Sequence, residues 1–119
     1  MEIKLFDSEL KVMNVLWANG DMAAKDIALV LKEQTGWNVN TTYTLINRCI
    51  KKGAVKRSDP GFICSRIVPK RQIQQAEAQR LIDKIFDGSA ESLFSALIGS
   101  KKLTKDEIDR LKQIVKERE

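Results

Sequence analysis

The stretch Asn40-Thr41-Thr42-Tyr43-Thr44-Leu45-Ile46-Asn47-Arg48-Cys49-Ile50-Lys51-Lys52-Gly53 decides the fold. At about 100° per residue, Thr42, Leu45, Ile46, Cys49 and Ile50 fall within about 140° of a helix circumference and make its inward face. The opposite face carries Asn40, Thr44, Asn47 and Lys51, flanked by Thr41, Tyr43 and Arg48. An ordinary surface helix shows Glu and Lys there, often paired at i,i+4. This one has no acid from Asn40 to Lys52. Its amide, hydroxyl, phenol and guanidinium groups are the inventory that hydrogen-bonds base edges and phosphates.

Beyond Gly53 the period changes from helical to strand-like. Residues 54–58 and 62–68 flank Asp59-Pro60-Gly61, a turn sequence, and predict a two-stranded hairpin. Between Arg48 and Arg71 stand eight Lys/Arg against the single acid Asp59. A net +7 over this stretch is a plausible polyanion footprint, and Arg57 and Arg66 of the hairpin are its candidate phosphate contacts. Strand alternation alone does not fix the face of either arginine.

Upstream, Asp7 is expected to cap a first helix with Leu10, Met13, Leu16 and Trp17 on one stripe, stopped at Asn19-Gly20. A second helix is expected from Ala23 to Gln34, with Ile27, Val30 and Leu31 inward. Trp37-Asn38-Val39 then links to the third helix near Asn40. Three helices and a basic hairpin describe a winged helix-turn-helix, whose last helix enters the major groove. Such a module also serves elsewhere as a protein-docking adaptor. An adaptor that binds an acidic partner through the same surface is the alternative reading, and it would show little dependence on DNA sequence.

Downstream, helices are expected over Lys70–Phe86, over Ala90–Ile98 after the cap Ser89, and after Thr104. There Thr104-Lys105-Asp106-Glu107 matches a capping box. About 50 residues of short helices make a marginal core alone, so their apolar faces are expected to close on a second copy. The candidate interface residues are Leu81, Ile85, Leu93, Leu97, Ile108, Leu111 and Val115. The competing arrangement folds these helices back within one chain. The expected class is mainly α with a small β wing: residues 1–70 a winged helix-turn-helix DNA-binding domain, residues 71–119 a helical dimerisation domain. A two-fold dimer places two recognition helices about one DNA turn apart, which implies a palindromic operator.

Composition narrows the function classes. The chain has 119 residues, 43% apolar and 31% charged, with net charge +5. Residues 1–70 carry net +4 and residues 71–119 net +1. Histidine is absent and there are two cysteines, which excludes a His-based triad and the usual Cys/His zinc sets. No catalytic residue, metal site or cofactor is expected, and no enzymatic activity. Cys49 falls in the apolar arc as a small core residue, and Cys64 could face either way and act as a thiol switch. The N-terminal residues show no secretory signal and no apolar run reaches ~18 residues, so a cytoplasmic protein without membrane contact is expected.

Three strings carry a family resemblance: residues 5–17 (Leu5 to Trp17), residues 37–48 (Trp37 to Arg48) and Lys51-Lys52-Gly53. They resemble the BlaI/MecI/CopY family of penicillinase-type repressors, whose pattern runs W-x-VM-x-x-[IL]-W in the first helix and T-[IV]-x-T-L-[IL]-x-R-L-x-x-K-G through the recognition helix. Leu103 to Leu111 is similar to the family's closing L-[ST]-x-[DE]-E-[IL]-x-x-L segment. The resemblance implies a homodimeric bacterial repressor that holds a double-stranded operator until an inducing signal removes it. It implies Thr41, Tyr43 and Thr44 as base readers and Arg48 as a backbone contact. It also adds a signal-transducing protease to the candidate partners. Three departures stand out. Ala96-Leu97 falls where the antibiotic-responsive members have a cleavable Asn-Phe bond. No cysteine follows Cys64, so the copper-type Cys-x-Cys tail is missing from the sequence. Tyr43 stands where many members carry Arg, which implies a different operator.

Overall fold

Three helices, α1 (Asp7–Asn19), α2 (Ala24–Thr35) and α3 (Val39–Lys51), frame the first part of the chain. In α2, Ala24, Ile27, Ala28 and Leu31 are buried at i, i+3, i+4 and i+7; in α3, Thr42, Leu45, Ile46 and Cys49 repeat the same spacing. These stripes meet Val12, Met13, Val15 and Leu16 of α1 in one core. The structure, a computed structural model, describes residues 2–118.

The first helix differs in two ways from the sequence expectation. Asp7 is its first residue and not its cap. Phe6 is the cap, and its N–H donates to Glu9 Oε1 at 2.7 Å. The buried stripe centres on Val12 and Met13, with Leu10 and Trp17 at its half-buried margin. Glu9 lies inside that stripe at 0% exposure, a position its charge argued against. The reason is Lys52, whose ammonium donates to Glu9 Oε1 at 2.5 Å and to the Lys4 carbonyl at 2.9 Å. A charge enters a core only when a partner comes with it.

α3 starts at Val39 because Asn38 caps it. It ends in a Schellman turn: Ala54 N–H bonds the Cys49 carbonyl and Gly53 N–H the Ile50 carbonyl. Gly53 takes φ +81°, a left-handed conformation that favours glycine. This sharp stop aims the chain directly into the hairpin. Strands β2 (Val55–Ser58) and β3 (Ile63–Arg66) form the wing, and a short strand, β1 (Met22–Ala23), adds to the other edge of β3. The antiparallel order is β1-β3-β2, with Met22 opposite Cys64 and Arg57 also opposite Cys64. Two residues are too few for a period-2 pattern to reveal, so β1 was not expected. The first turn of α4 (Lys70–Ile85) completes this core through Ile73, while the Trp17 indole N–H holds the Val68 carbonyl at 2.9 Å.

The chain divides into two compact units, Met1–Ala76 and Glu77–Glu119, with the boundary inside α4. The second unit holds the end of α4, α5 (Ala90–Gly99) and α6 (Lys105–Glu117). Ser89 caps α5, and Thr104 with Glu107 forms the expected capping box of α6. The hydrogen bonds from Thr104 hold the Glu107 carboxyl below its ordinary pKa. No residue of α5 or α6 is buried. This unit therefore lacks the closed core that the first one has.

Candidate nucleic-acid interface

The outward face of α3 is prepared by bonds within the helix. Asn38 Oδ1 accepts from the Thr41 N–H at 2.8 Å and from the Thr41 hydroxyl at 3.1 Å. The Thr44 hydroxyl donates to the Asn40 carbonyl at 3.0 Å. Both threonines have committed their one proton, so they meet a ligand as acceptors and through their methyl groups. Acceptors suit the amino groups of cytosine and adenine, and a methyl suits thymine. Asn40, Asn47, Arg48 and Lys51 are exposed, and their side chains make no hydrogen bond or ion pair among the described residues. An unengaged amide at Asn47 retains both the donor and the acceptor needed to hold adenine N7 and N6.

Tyr43 is half-buried. Its ring meets Phe62 of the wing at 5.7 Å between centroids and 71° between planes, while its hydroxyl bonds nothing among the described residues. A cleft of about 400 Å³ runs beside this face, lined by Ser8, Trp37, Thr41, Thr44, Leu45 and Arg48. Ser8 and Trp37 were not among the expected site residues. They come from α1 and the α2–α3 linker, and no local pattern marks residues that only tertiary packing brings to α3.

In the wing, Arg57 and Arg66 are both exposed. Arg57 Nε donates to the two Asp59 carboxylate oxygens at 3.2 and 3.1 Å, and its guanidinium carbon lies 3.7 Å from the Phe62 ring centroid. Arg66 makes no such contact among the described residues. Lys52, one of the eight basic residues of this stretch, is turned away to Glu9 and to the Phe6 ring, 4.0 Å from its ammonium. The positive surface therefore rests on fewer side chains than the sequence offers.

Both cysteines face inward at 0% exposure. Burial, followed by the nearby Glu9 charge, pushes the Cys49 thiol up to about 12. Burial also raises the Cys64 thiol, against the opposing pull of Arg57. A thiol held protonated is a poor nucleophile, so the chemistry of Cys64 argues against a switch there. Among the described residues no three His, Cys, Asp or Glu side chains gather as a metal site.

In the second unit, Ile108, Leu111 and Val115 line an apolar groove of about 510 Å³ together with Phe94, Ile98 and Leu103. Leu81, Ile85 and Val115 are 40%, 61% and 59% exposed, and Leu93 and Leu97 are half-buried outside the groove lining.

A three-helix core, a hairpin wing and an exposed, acid-free third helix define a winged helix-turn-helix protein. Residues 5–117 match the sequence model of the family described as Penicillinase repressor, and the chain belongs to that family. It is 28% identical over 114 residues to the methicillin resistance regulatory protein MecI of Staphylococcus aureus, covering 94% of this chain and 93% of that one. The solution structure of the DNA-binding domain of the repressor BlaI matches with a TM-score of 0.55 and 26% identity, over 59% of this chain and 88% of that one. Bacillus licheniformis BlaI in its monomeric form, in complex with the blaP half-operator, matches with a TM-score of 0.53 and 27% identity, over 60% of this chain and 90% of that one.

Proposed function

We propose that the chain is a DNA-binding transcriptional repressor that holds a palindromic operator as a homodimer. The observation that carries this reading is the outward face of α3, free of acids and presenting Asn47, Arg48 and Lys51 without a partner among the described residues. Asn40, Thr41, Tyr43, Thr44 and Asn47 read base edges from the major groove. Arg48, Lys51, Arg57 and Arg66 hold phosphates on either side. The half-operator complex of the similar BlaI supports a fold of this kind engaging one half-site.

Residues 71–119 act as the dimerisation domain in this reading. Support comes from apolar side chains left open on α4, α5 and α6 within one chain. Large exposed apolar surface marks an association site. The protein catalyses nothing itself. It works in the cytoplasm with operator DNA and a second copy; a signal-transducing protease would have to cut at a bond other than the family's Asn-Phe to end repression. Among the described residues no helix is long and apolar enough to cross a membrane. Ala96 and Leu97 lie inside α5, so cutting between them requires that helix to unwind first.

Selection from a pool of random duplexes tests the reading. The expected outcome is an enriched, two-fold-symmetric sequence with half-sites about one helical turn apart. Uniform recovery of all sequences would favour the adaptor reading.

A further inference from the structure

Phe62 is an anomaly in the wing. It is a bulky residue at φ +48°, the left-handed region that side chains rarely adopt, directly after a glycine. Its carbonyl accepts from the Ala24 N–H at 2.9 Å, which ties the turn end of the wing to the start of α2. Its ring meets Tyr43 of α3 near a right angle and carries the Arg57 guanidinium over its face. A non-glycine residue persists in that conformation where its surroundings over-determine it, and such residues cluster at functional sites. Besides packing against the core, this ring meets two side chains assigned above to DNA, one for bases and one for phosphate.

We propose that Phe62 is a positioning residue that makes the recognition helix and the wing move as one reading unit, seating Tyr43 and Arg57 together before DNA arrives. The inference rests on the DNA-binding reading above. Tyr43 is held by its ring and not by its hydroxyl, so the phenol O–H remains available to a base. Arg57 is held by the ring face and, at Nε, by Asp59. Its terminal amino groups make no bond among the described residues, leaving them for a phosphate. Removing the ring takes one hold from each side chain and breaks the link between them, leaving Tyr43 its packing against the core and Arg57 its Asp59 pair. Their relative placement must then be ordered at the moment of binding, which weakens the complex without deleting any group that touches DNA.

The test is a double-mutant cycle on the full chain, titrated against a selected operator and a scrambled duplex over a salt series. Phe62→Leu should lower operator affinity on the order of 10-fold and reduce the salt slope, by up to about one charge. Phe62→Tyr, which keeps the ring, should restore both. Phe62→Leu added to Arg57→Ala should cost far less than the product of the two single effects. A second measurement uses the wild-type chain alone, so it stands even if Phe62→Leu melts. The Arg57 δ-methylene protons should show an upfield ring-current shift in the nuclear magnetic resonance spectrum, both free and operator-bound. Multiplicative single effects, an unchanged salt slope in a folded Phe62→Leu chain, or loss of the ring-current shift on binding would overturn the positioning role alone. A wild-type chain that does not distinguish the two duplexes overturns the DNA-binding reading, and the positioning role with it.

Discussion

Thr42 sits on the inward face of α3 at 0% exposure, and its hydroxyl has no partner among the described residues. A buried hydroxyl without a hydrogen bond costs roughly 1–3 kcal/mol, so Thr42→Val, which keeps the shape, should stabilise the protein by about 1 kcal/mol. Urea unfolding measures this, and operator affinity should not change, because Thr42 faces away from the DNA-facing side. The thiols give a second expectation at the same scale. Cys49 is held protonated up to about 12 in the folded chain, whereas an unfolded cysteine ionises near roughly 8.5. A folded pKa raised above the unfolded one gives stability that is complete below pH ~8.5 and is lost as pH rises towards 12. Thermal melts between pH 8 and 10.5 should therefore show a falling midpoint, with a shallower fall in Cys49→Ala. An equal fall in both would remove Cys49 from the cause.

Among the elements, α1 and the C-terminal cap of α3 are joined by Glu9 and Lys52. Among the described residues Glu9 Oε2 has no partner in its buried site, and Oε1 accepts from both the Lys52 ammonium and the Phe6 N–H, so Lys52 supplies the carboxylate's opposite charge. Lys52→Met should cost about 3 kcal/mol by leaving a buried charge unpaired, and Glu9→Gln in the same chain should return most of it. Denaturant midpoints of the two variants decide this, and a neutral Lys52→Met would mean that water reaches Glu9. This pair also marks the limit of what the sequence discloses. The α3 face was legible because one period, 42-45-46-49, repeats within a single helix, and the wing because Asp59-Pro60-Gly61 punctuates two strands. Glu9 was not legible: its burial depends on Lys52, more than forty residues away, and no local pattern encodes such a meeting. The same holds for Ser8 and Trp37 beside α3. Phe62 stood in the strand pattern as an ordinary apolar residue, and its positive φ follows from the turn geometry that only the fold displays.

At the scale of the whole molecule, the account requires two copies of the chain. The groove of about 510 Å³ between α5 and α6 is lined by Leu111, so Leu111→Asp puts a charge where the second copy would bury it. Sedimentation should show a monomer, and operator affinity should fall by about 10²–10⁴ as the second half-site contact is lost. A dimer with full affinity would mean that these helices close on themselves. The central claim, that the acid-free face of α3 reads bases directly, is tested most directly by one comparison. Wild type and Asn47→Ala are titrated, at one fixed salt concentration, against the selected operator and against a scrambled duplex of the same length. Asn47→Ala should lose roughly 1–3 kcal/mol on the operator and almost nothing on the scrambled duplex. Equal loss on both duplexes, or no loss on either, would contradict base reading by this face.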